Sequence, residues 1–225
     1  MFKEQESILL PQLEKNHYHG LFIDIEGLDG SGQSTRIENL KDFFTKNSLD
    51  FITTKEPNED SYLGKEIRQI LRGEKKINDP LEFQKMYIAN RRDHLDKLVI
   101  PNLKKGKIVL TDRYFWSTVA YGSINVDPVM LLEMNQRFIS PDITYFINTS
   151  PEECMRRMEA SRDSLEFFEK KEKLEKVSKT YNWLANNYKN HILSINGYQE
   201  KEIIHSQINN HLNKQTKFIS ILKNN

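Results

Sequence analysis

Cysteine is nearly absent from this chain of 225 residues, Cys154 being the only one. A lone thiol excludes an intramolecular disulfide, and a CxxC metal or redox site is absent. A reducing compartment is permitted. Long apolar runs are also missing. Nothing approaches the ~18 apolar residues of a membrane span, and the apolar run Ile8-Leu9-Leu10 in the segment Met1 to Gly20 is too short for the core of a signal peptide. The expectation is a soluble, cytoplasmic protein whose residues 1–20 form an extension outside the core. His17 and His19 in that extension lack an evident third ligand, so solvated histidines are expected there. Charge of one sign is missing too: 33 Lys+Arg against 32 Asp+Glu leave a formal +1. That balance gives no global attraction to nucleic acid or to a membrane, and any phosphate recognition must be local.

A further absence is the most informative. Glu26-Gly27-Leu28-Asp29-Gly30-Ser31-Gly32-Gln33-Ser34-Thr35 fits the phosphate-loop pattern G-x-x-x-x-G-K-[ST] except that the lysine is replaced by Gln33. In that pattern the glycines let backbone N–H groups converge on phosphate, the lysine reaches the outer phosphate and the Ser/Thr hydroxyl ligates Mg²⁺. Gly27, Gly30, Ser31, Gly32, Gln33, Ser34 and Thr35 are the phosphate-binding candidates. An ordinary glycine-rich turn is the competing reading. The flanks decide against it: Leu21 to Ile25 has strand length and composition, and Ile37, Leu40, Phe43 and Phe44 follow at helical spacing. Strand, loop and helix aim a helix N-terminus at an anion.

Strand-like runs then alternate with helical patterns, the mark of βαβ units and a parallel sheet in one α/β domain. Strands are expected at 50–54, 107–111, 143–147 and 191–195, with helices at 63–71, from Pro80 to about Lys105, and from Pro151 to Asn187. Ligands of open parallel sheets bind outside the carboxyl ends of the strands. The glycine loop, Glu56-Pro57, Asp112-Arg113 and Asn196-Gly197 all fall at such ends. Between 151 and 187 the lysines read as a solvated helix face balanced by glutamates. Arg156 and Arg157 on the helix, with Arg162 just beyond in the weak turn 160–164, instead suit a mobile basic flap over phosphates. The tail 213–225 reads as a peripheral addition.

Several ordered segments together resemble the thymidylate kinase family, from about Leu21 to about Leu212. The glycine loop with Asp29 resembles the family's phosphate loop, Lys55-Glu56-Pro57 its R-E-P, and Leu63-Gly64-Lys65-Glu66-Ile67-Arg68 its L-G-x-x-I-R. Met86-Tyr87-Ile88-Ala89-Asn90-Arg91 resembles its L-F-A-A-D/N-R helix, and Asp112-Arg113-Tyr114-Phe115-Trp116-Ser117-Thr118-Val119-Ala120-Tyr121 its D-R-Y-x-x-S-x-x-A-Y block. The resemblance implies a P-loop NTPase-type three-layer fold, a five-stranded parallel sheet flanked by helices, with a short lid at about 157–167. It implies transfer of the γ-phosphoryl of ATP to dTMP, Mg²⁺ held with Ser34 and Asp112, and a homodimer, with no nucleic acid or membrane partner. The expected dTMP contacts are Asp29, Glu56, Arg68, Tyr87, Arg91, Arg113, Ser117, Thr118 and Tyr121. Tyr87 would stack on thymine, Arg91 one turn later would reach the base or the phosphate, and Arg113 would grip the phosphate in bidentate fashion. Tyr121 would fill the space of a ribose 2′-OH. Asp112, Arg113, Arg157, Arg162 and Gln33 are the expected catalytic set.

The departures are Gln33 for lysine, Lys55 for arginine, Asn90 where Asp is frequent, Ser178 where an arginine is usual, and a lid without its D-R-[FY]-E element. Loss of one preorganised cation costs about 3–4 kcal/mol of transition-state stabilisation, a hundredfold or more in rate. Mg²⁺ or the lid arginines would have to make up the deficit. Two alternatives follow: a catalytically impaired nucleotide-binding pseudokinase, or a related deoxynucleotide or deoxynucleoside kinase. The nucleoside kinase is disfavoured because its acceptor has no phosphate for Arg113 to hold.

Overall fold

In the computed structural model the described residues are 10–159 and 167–224. Arg162 and most of the expected lid lie outside them. In chain order the elements are β1 (Glu14–Lys15), β2 (Leu21–Gly27), α1 (Gln33–Lys46), β3 (Phe51–Lys55), α2 (Tyr62–Leu71), α3 (Pro80–His94), a π-helical turn (Leu95–Val99), α4 (Ile100–Lys104), β4 (Ile108–Asp112) and α5 (Phe115–Gly122). There follow α6 (Pro128–Asn135), β5 (Ile139–Ser140), β6 (Ile143–Asn148), α7 (Pro151–Glu159), α8 (Phe167–Asn187), β7 (Ile192–Asn196), α9 (Lys201–Leu212) and α10 (Thr216–Asn224).

The main sheet has five parallel strands in the order β3-β4-β2-β6-β7. Strand β2 sits at its centre and is buried along its whole length. Alternation along the strands divides the core between two faces. Leu21, Ile23 and Ile25 join Ile108, Leu110, Tyr145 and Ile147 on one side, while Phe22 joins Val109 and Phe146 on the other. Asp24 and Glu26 have the parity of Phe22, so two carboxylates are carried into the interior beneath α5 and α8.

The long helix expected from Pro80 to about Lys105 is not uniform. Pro101 has no N–H to offer the carbonyl one turn back, and the chain widens into the π turn just before it. The strands expected at 50–54, 107–111 and 191–195 each run one residue later. Of the helical stretch expected at 151–187, the described residues form α7 up to Glu159 and α8 from Phe167.

The terminal segments are expected to be peripheral, but their described residues, 10–20 and 213–224, are fastened to the core. Leu10, Leu13 and Tyr18 pack against it, β1 pairs in parallel with β5, and Asn16 donates to Asp142 at 2.7 Å. From the other end Lys217 reaches Asp142 and the Asn16 carbonyl at 2.7 and 2.8 Å, and Phe218 is fully buried beside Phe43 and Phe44. One carboxylate thus ties both termini together. The reading of 1–20 as an extension missed this because short segments carry little periodicity of their own. His17 and His19 are exposed.

Asp24 is fully buried; its Oδ2 accepts from Thr144 at 3.3 Å and its Oδ1 has no partner. Burial, with Glu26 and Glu56 nearby, raises its pKa well above the usual carboxylate range. A raised folded-state pKa means stability that is complete at low pH and lost as pH rises from the ordinary carboxylate value toward the raised one. Asp24→Asn removes that loss. Thermal melts should show the variant more stable than the parent at pH 8, with the difference shrinking toward pH 4; a pH-independent difference would contradict the assignment.

Candidate active site

The loop between β2 and α1 is shaped by its glycines. Gly30 and Gly32 have φ of +83° and +102°, a region that side-chain-bearing residues seldom occupy. A Cβ on Gly30 would also lie 2.5 Å from the Cys154 carbonyl of α7, so that helix braces the loop directly. Gly32 caps α1 without a side-chain partner, and the first turn of α1 has no acidic residue. Its N–H groups and dipole therefore face an anion site unopposed. Ser34 is exposed there, while the buried Ser31 hydroxyl has no partner.

At the end of β2 the Glu26 carboxylate organises the opposite wall. Its Oε1 accepts from the backbone N–H groups of Tyr114 and Ser117 at 2.9 and 3.1 Å, and its Oε2 from the hydroxyls of Ser117 and Tyr181 at 2.6 and 2.7 Å. Burial pushes its pKa up; the neighbouring Arg113 charge and these hydrogen bonds oppose the shift. Arg113, with φ +69°, turns back over this cluster. Its Nη1 donates to the Gly27 carbonyl at 2.8 Å and to Ser117 at 3.0 Å, and its Nη2 donates to Asp29 and Gln33 at 2.7 and 2.8 Å. The guanidinium also lies over the Tyr121 ring, 5.2 Å from its centre, which adds a cation–π contact. Tyr121 in turn accepts from the Asp29 N–H at 3.3 Å. Arg113 therefore stands between the glycine loop and the space beside it.

That space is a cavity of about 440 Å³, and the structure brings every expected dTMP contact to its lining: Asp29, Glu56, Arg68, Tyr87, Arg91, Arg113, Ser117, Thr118 and Tyr121. Asp112 and Lys55 line it too, with an apolar wall of Leu71, Ile77, Phe83 and Ile124. Tyr87 packs edge-on against Phe83 at 5.2 Å, and burial raises its hydroxyl to about 12, so it stays protonated at neutral pH. Arg68 and Lys55 share Glu59, at 2.9 and 2.6 Å. Burial raises the Asp112 carboxyl, with Arg113 opposing and Asp29 adding to the shift.

Beneath the cavity the groups interlock. Arg91 is fully buried; its Nε donates to Glu56 at 2.8 Å, its Nη2 donates to Thr118 at 2.8 Å and lies 2.6 Å from the Glu56 carboxylate as an ion pair, and its Nη1 donates to Asn135. His94 meets Glu56 at 3.2 Å and Thr54 at 2.7 Å. The Glu56 carboxylate is accordingly turned toward Arg91 and His94, and Arg91 holds the Thr118 hydroxyl in the wall. Asn90 uses both ends of its amide, accepting from the Asn58 N–H and donating to the Asn58 carbonyl and to Ser61, at 2.8, 3.0 and 2.7 Å. Asn suits this position because an ionised Asp would lack the donors.

Arg157, expected over the phosphates, is tied to the loop and to neighbouring segments. It donates to Glu153 at 2.8 Å and to the carbonyls of Ser31 and Gly197 at 3.1 and 3.0 Å. Its guanidinium still flanks Gly32. Ser178 accepts from Asn182 through its carbonyl and its hydroxyl. The lone Cys154 is buried, and burial raises its thiol to about 12, so it offers no nucleophile. Among the described residues no cluster of His, Cys, Asp and Glu could cage a metal. Ser34, exposed at the start of α1, and Asp112, in the cavity lining, offer oxygen donors of the hard kind that Mg²⁺ takes.

Tyr181, Asn135 and His94 were not read from the sequence. Tyr181 lies on α8, far from the loop in sequence; its ring stacks on Phe146 at 5.0 Å and its hydroxyl reaches Glu26.

A phosphate loop at the head of a parallel sheet, beside a cavity lined by arginines and aromatic side chains, defines a nucleotide-binding phosphotransferase. A family model for thymidylate kinase matches residues 25–208. A thymidylate kinase from Desulfotalea psychrophila is 39% identical over 177 residues, covering 77% of this chain and 86% of that protein. A probable thymidylate kinase from Thermococcus kodakarensis is 34% identical over 197 residues, 84% and 95% of the two chains. A thymidylate kinase from Prochlorococcus marinus is 31% identical over 218 residues, 91% and 98% of the two chains. The chain belongs to the thymidylate kinase family, and with it to the ATP-dependent kinases. Nothing in these matches favours the non-catalytic alternative.

Tyr181→Phe should leave the Glu26 carboxylate short of one buried donor, a deficit worth about 1–3 kcal/mol. Chemical denaturation should show a loss of that order. A change below about 0.5 kcal/mol, the usual range for an uninvolved surface position, would show that the hydroxyl is not part of the cluster.

Proposed function

We propose that the protein transfers the γ-phosphoryl group of ATP to dTMP, giving dTDP and ADP. The observation that carries this reading is Arg113: one guanidinium, held by Asp29, Gln33 and the Gly27 carbonyl, stands between the phosphate loop and a cavity sized for a nucleotide. In the reaction an ionised phosphate oxygen of dTMP forms a bond to the γ-phosphorus while the bond from that phosphorus to the bridging oxygen breaks. ADP departs with the electron pair. Such transfers need little covalent chemistry from the protein; alignment and charge neutralisation do the work.

The loop and the N-terminus of α1 would hold the ATP phosphates through backbone N–H groups. Arg113 would leave Asp29 for the dTMP phosphate, since an ion pair to a carboxylate whose side chain is 62% exposed contributes only ~0–1 kcal/mol. Asp29 would then be released to accept from the deoxyribose 3′-OH. Tyr87 would stack on the base, the Phe83 and Ile77 wall would receive the thymine methyl, and Tyr121 would exclude a 2′-OH. Arg91 and Glu56 would act from beneath by fixing Thr118 in the wall, and Arg68 would add charge on the phosphate side. Ser34 and Asp112 would hold Mg²⁺, which when bound bridges and neutralises the ATP phosphates. Residues 21–212 would form the kinase domain, with a lid at about 157–167 carrying Arg157 and Arg162 and terminal segments 1–20 and 213–225. A cytoplasmic homodimer is the expected setting.

An ADP-release assay with Mg·ATP and a panel of dTMP, dUMP, dGMP and thymidine tests the reading. dTMP should give the highest kcat/KM, dUMP less, dGMP little, and thymidine none because it brings no phosphate to Arg113. Arg113→Ala should lower kcat/KM for dTMP at least a hundredfold. Turnover of dTMP at background level, or a preference for another acceptor, would refute it.

A further inference from the structure

The amide at position 33 is bonded in a way that a lysine could not reproduce. Gln33 is buried, and its Nε2 donates to the Ile25 carbonyl at 3.2 Å while its Oε1 accepts from Arg113 Nη2 at 2.8 Å. These two contacts fix the orientation of the amide: flipped, it would set N–H against a guanidinium and oxygen against a carbonyl. The same Ile25 carbonyl also accepts the backbone N–H of Arg113 at 3.1 Å. One oxygen of β2 thus anchors both residues. The Arg113 carbonyl is held by the Thr111 hydroxyl at 2.8 Å, so its left-handed backbone is restrained from both sides. The side chain then returns over the first loop glycine, with Nη1 on the Gly27 carbonyl at 2.8 Å.

We propose that Gln33 is a positioning residue that seats Arg113 on the phosphate loop, so that this guanidinium brings to the donor phosphates the charge a lysine at position 33 would otherwise bring. An ammonium there would face a guanidinium at hydrogen-bond distance and would accept nothing from it, so a lysine in the place of Gln33 and a seated Arg113 exclude each other. The amide accepts from Arg113 and adds no repulsion. Arg157, the other arginine beside the loop, is committed to Glu153 and to the Ser31 and Gly197 carbonyls. Arg113 contacts the loop, Gln33 and the acceptor cavity together. The consequence is that donor and acceptor share a single cation, and that Arg113 matters to ATP before any acceptor arrives.

The inference rests on ATP as the donor in the proposed reaction, and the experiment separates the two. Mg·ATP binding is titrated calorimetrically without acceptor on the full chain, for the parent, Gln33→Met, Arg113→Ala and the double variant, with thermal melts on each. Gln33→Met and Arg113→Ala should each weaken Mg·ATP at least fivefold, and the double variant should lose no more than about threefold beyond the larger single loss. In turnover, Gln33→Met should raise the KM for ATP while leaving that for dTMP within threefold, and Gln33→Lys should raise kcat by less than threefold. Gln33→Asn keeps the amide but withdraws it from Arg113; it should match Gln33→Met and carries the test if that variant does not fold. Arg113→Ala with Mg·ATP affinity changed by less than fivefold, losses that multiply in the double variant, or a tenfold gain in kcat from Gln33→Lys would overturn the proposal. A parent that binds Mg·ATP but does not turn over dTMP would refute the proposed reaction, while the binding comparison would still decide the role of Gln33.

Discussion

The site depends on a carboxylate placed where water cannot reach it. Glu26 ends the central strand with the parity of Phe22 and Asp24, so the sheet itself carries it inward beneath α5 and α8. Burying a carboxylate costs several kcal/mol unless it is paired and hydrogen-bonded. The chain meets that requirement with groups from three places: the turn into α5, Tyr181 of α8, and the Arg113 charge 4.0 Å away. A hydrogen bond to a charged group contributes about 1.5–3 kcal/mol. The set is therefore of the size needed to offset the burial, and each member is fixed by the carboxylate it satisfies. The need to satisfy Glu26 places α5 and α8 relative to the sheet, and their placement shapes the cavity.

Arg113 joins this buried cluster to the phosphate loop. Its Nη1 lies on the Glu26 side, against Ser117 and Gly27, and its Nη2 reaches the loop residues Asp29 and Gln33. The glycines make that approach possible from the loop side, since the Cβ of any other residue at Gly30 would strike α7. One charge thus stands between the glycine loop and the cavity. In a reaction governed by positioning, that is the economical arrangement.

Much of this was legible in the sequence. The loop, the strands and the D-R-Y block are local patterns, and the residues expected around the acceptor do meet in one cavity because they lie at strand ends or on helix faces that periodicity reveals. Bonding partners were not legible. Glu26 was visible only as the first letter of a motif, although its parity with Phe22 marks it as inward-facing. Tyr181 meets it across 155 positions of chain, a relation that no local window contains. Gln33 was read as a missing lysine, because a motif registers the absent charge and not the carbonyl of Ile25 and the guanidinium of Arg113 that favour an amide. The terminal segments were read as peripheral since their role hangs on Asp142, one carboxylate joining Asn16 and Lys217 from opposite ends of the chain.

The claim that the buried charge of Glu26 sets the acceptor site is tested most directly by the thermal shift that dTMP produces in Glu26→Gln. The amide keeps the shape, can accept from the Tyr114 and Ser117 N–H groups and can donate to the Ser117 and Tyr181 hydroxyls, so the variant is expected to fold. It removes only the charge that faces Arg113. The account predicts a folded protein whose midpoint responds weakly or not at all to millimolar dTMP, against a clear rise in the parent. An undiminished rise in the variant would contradict it.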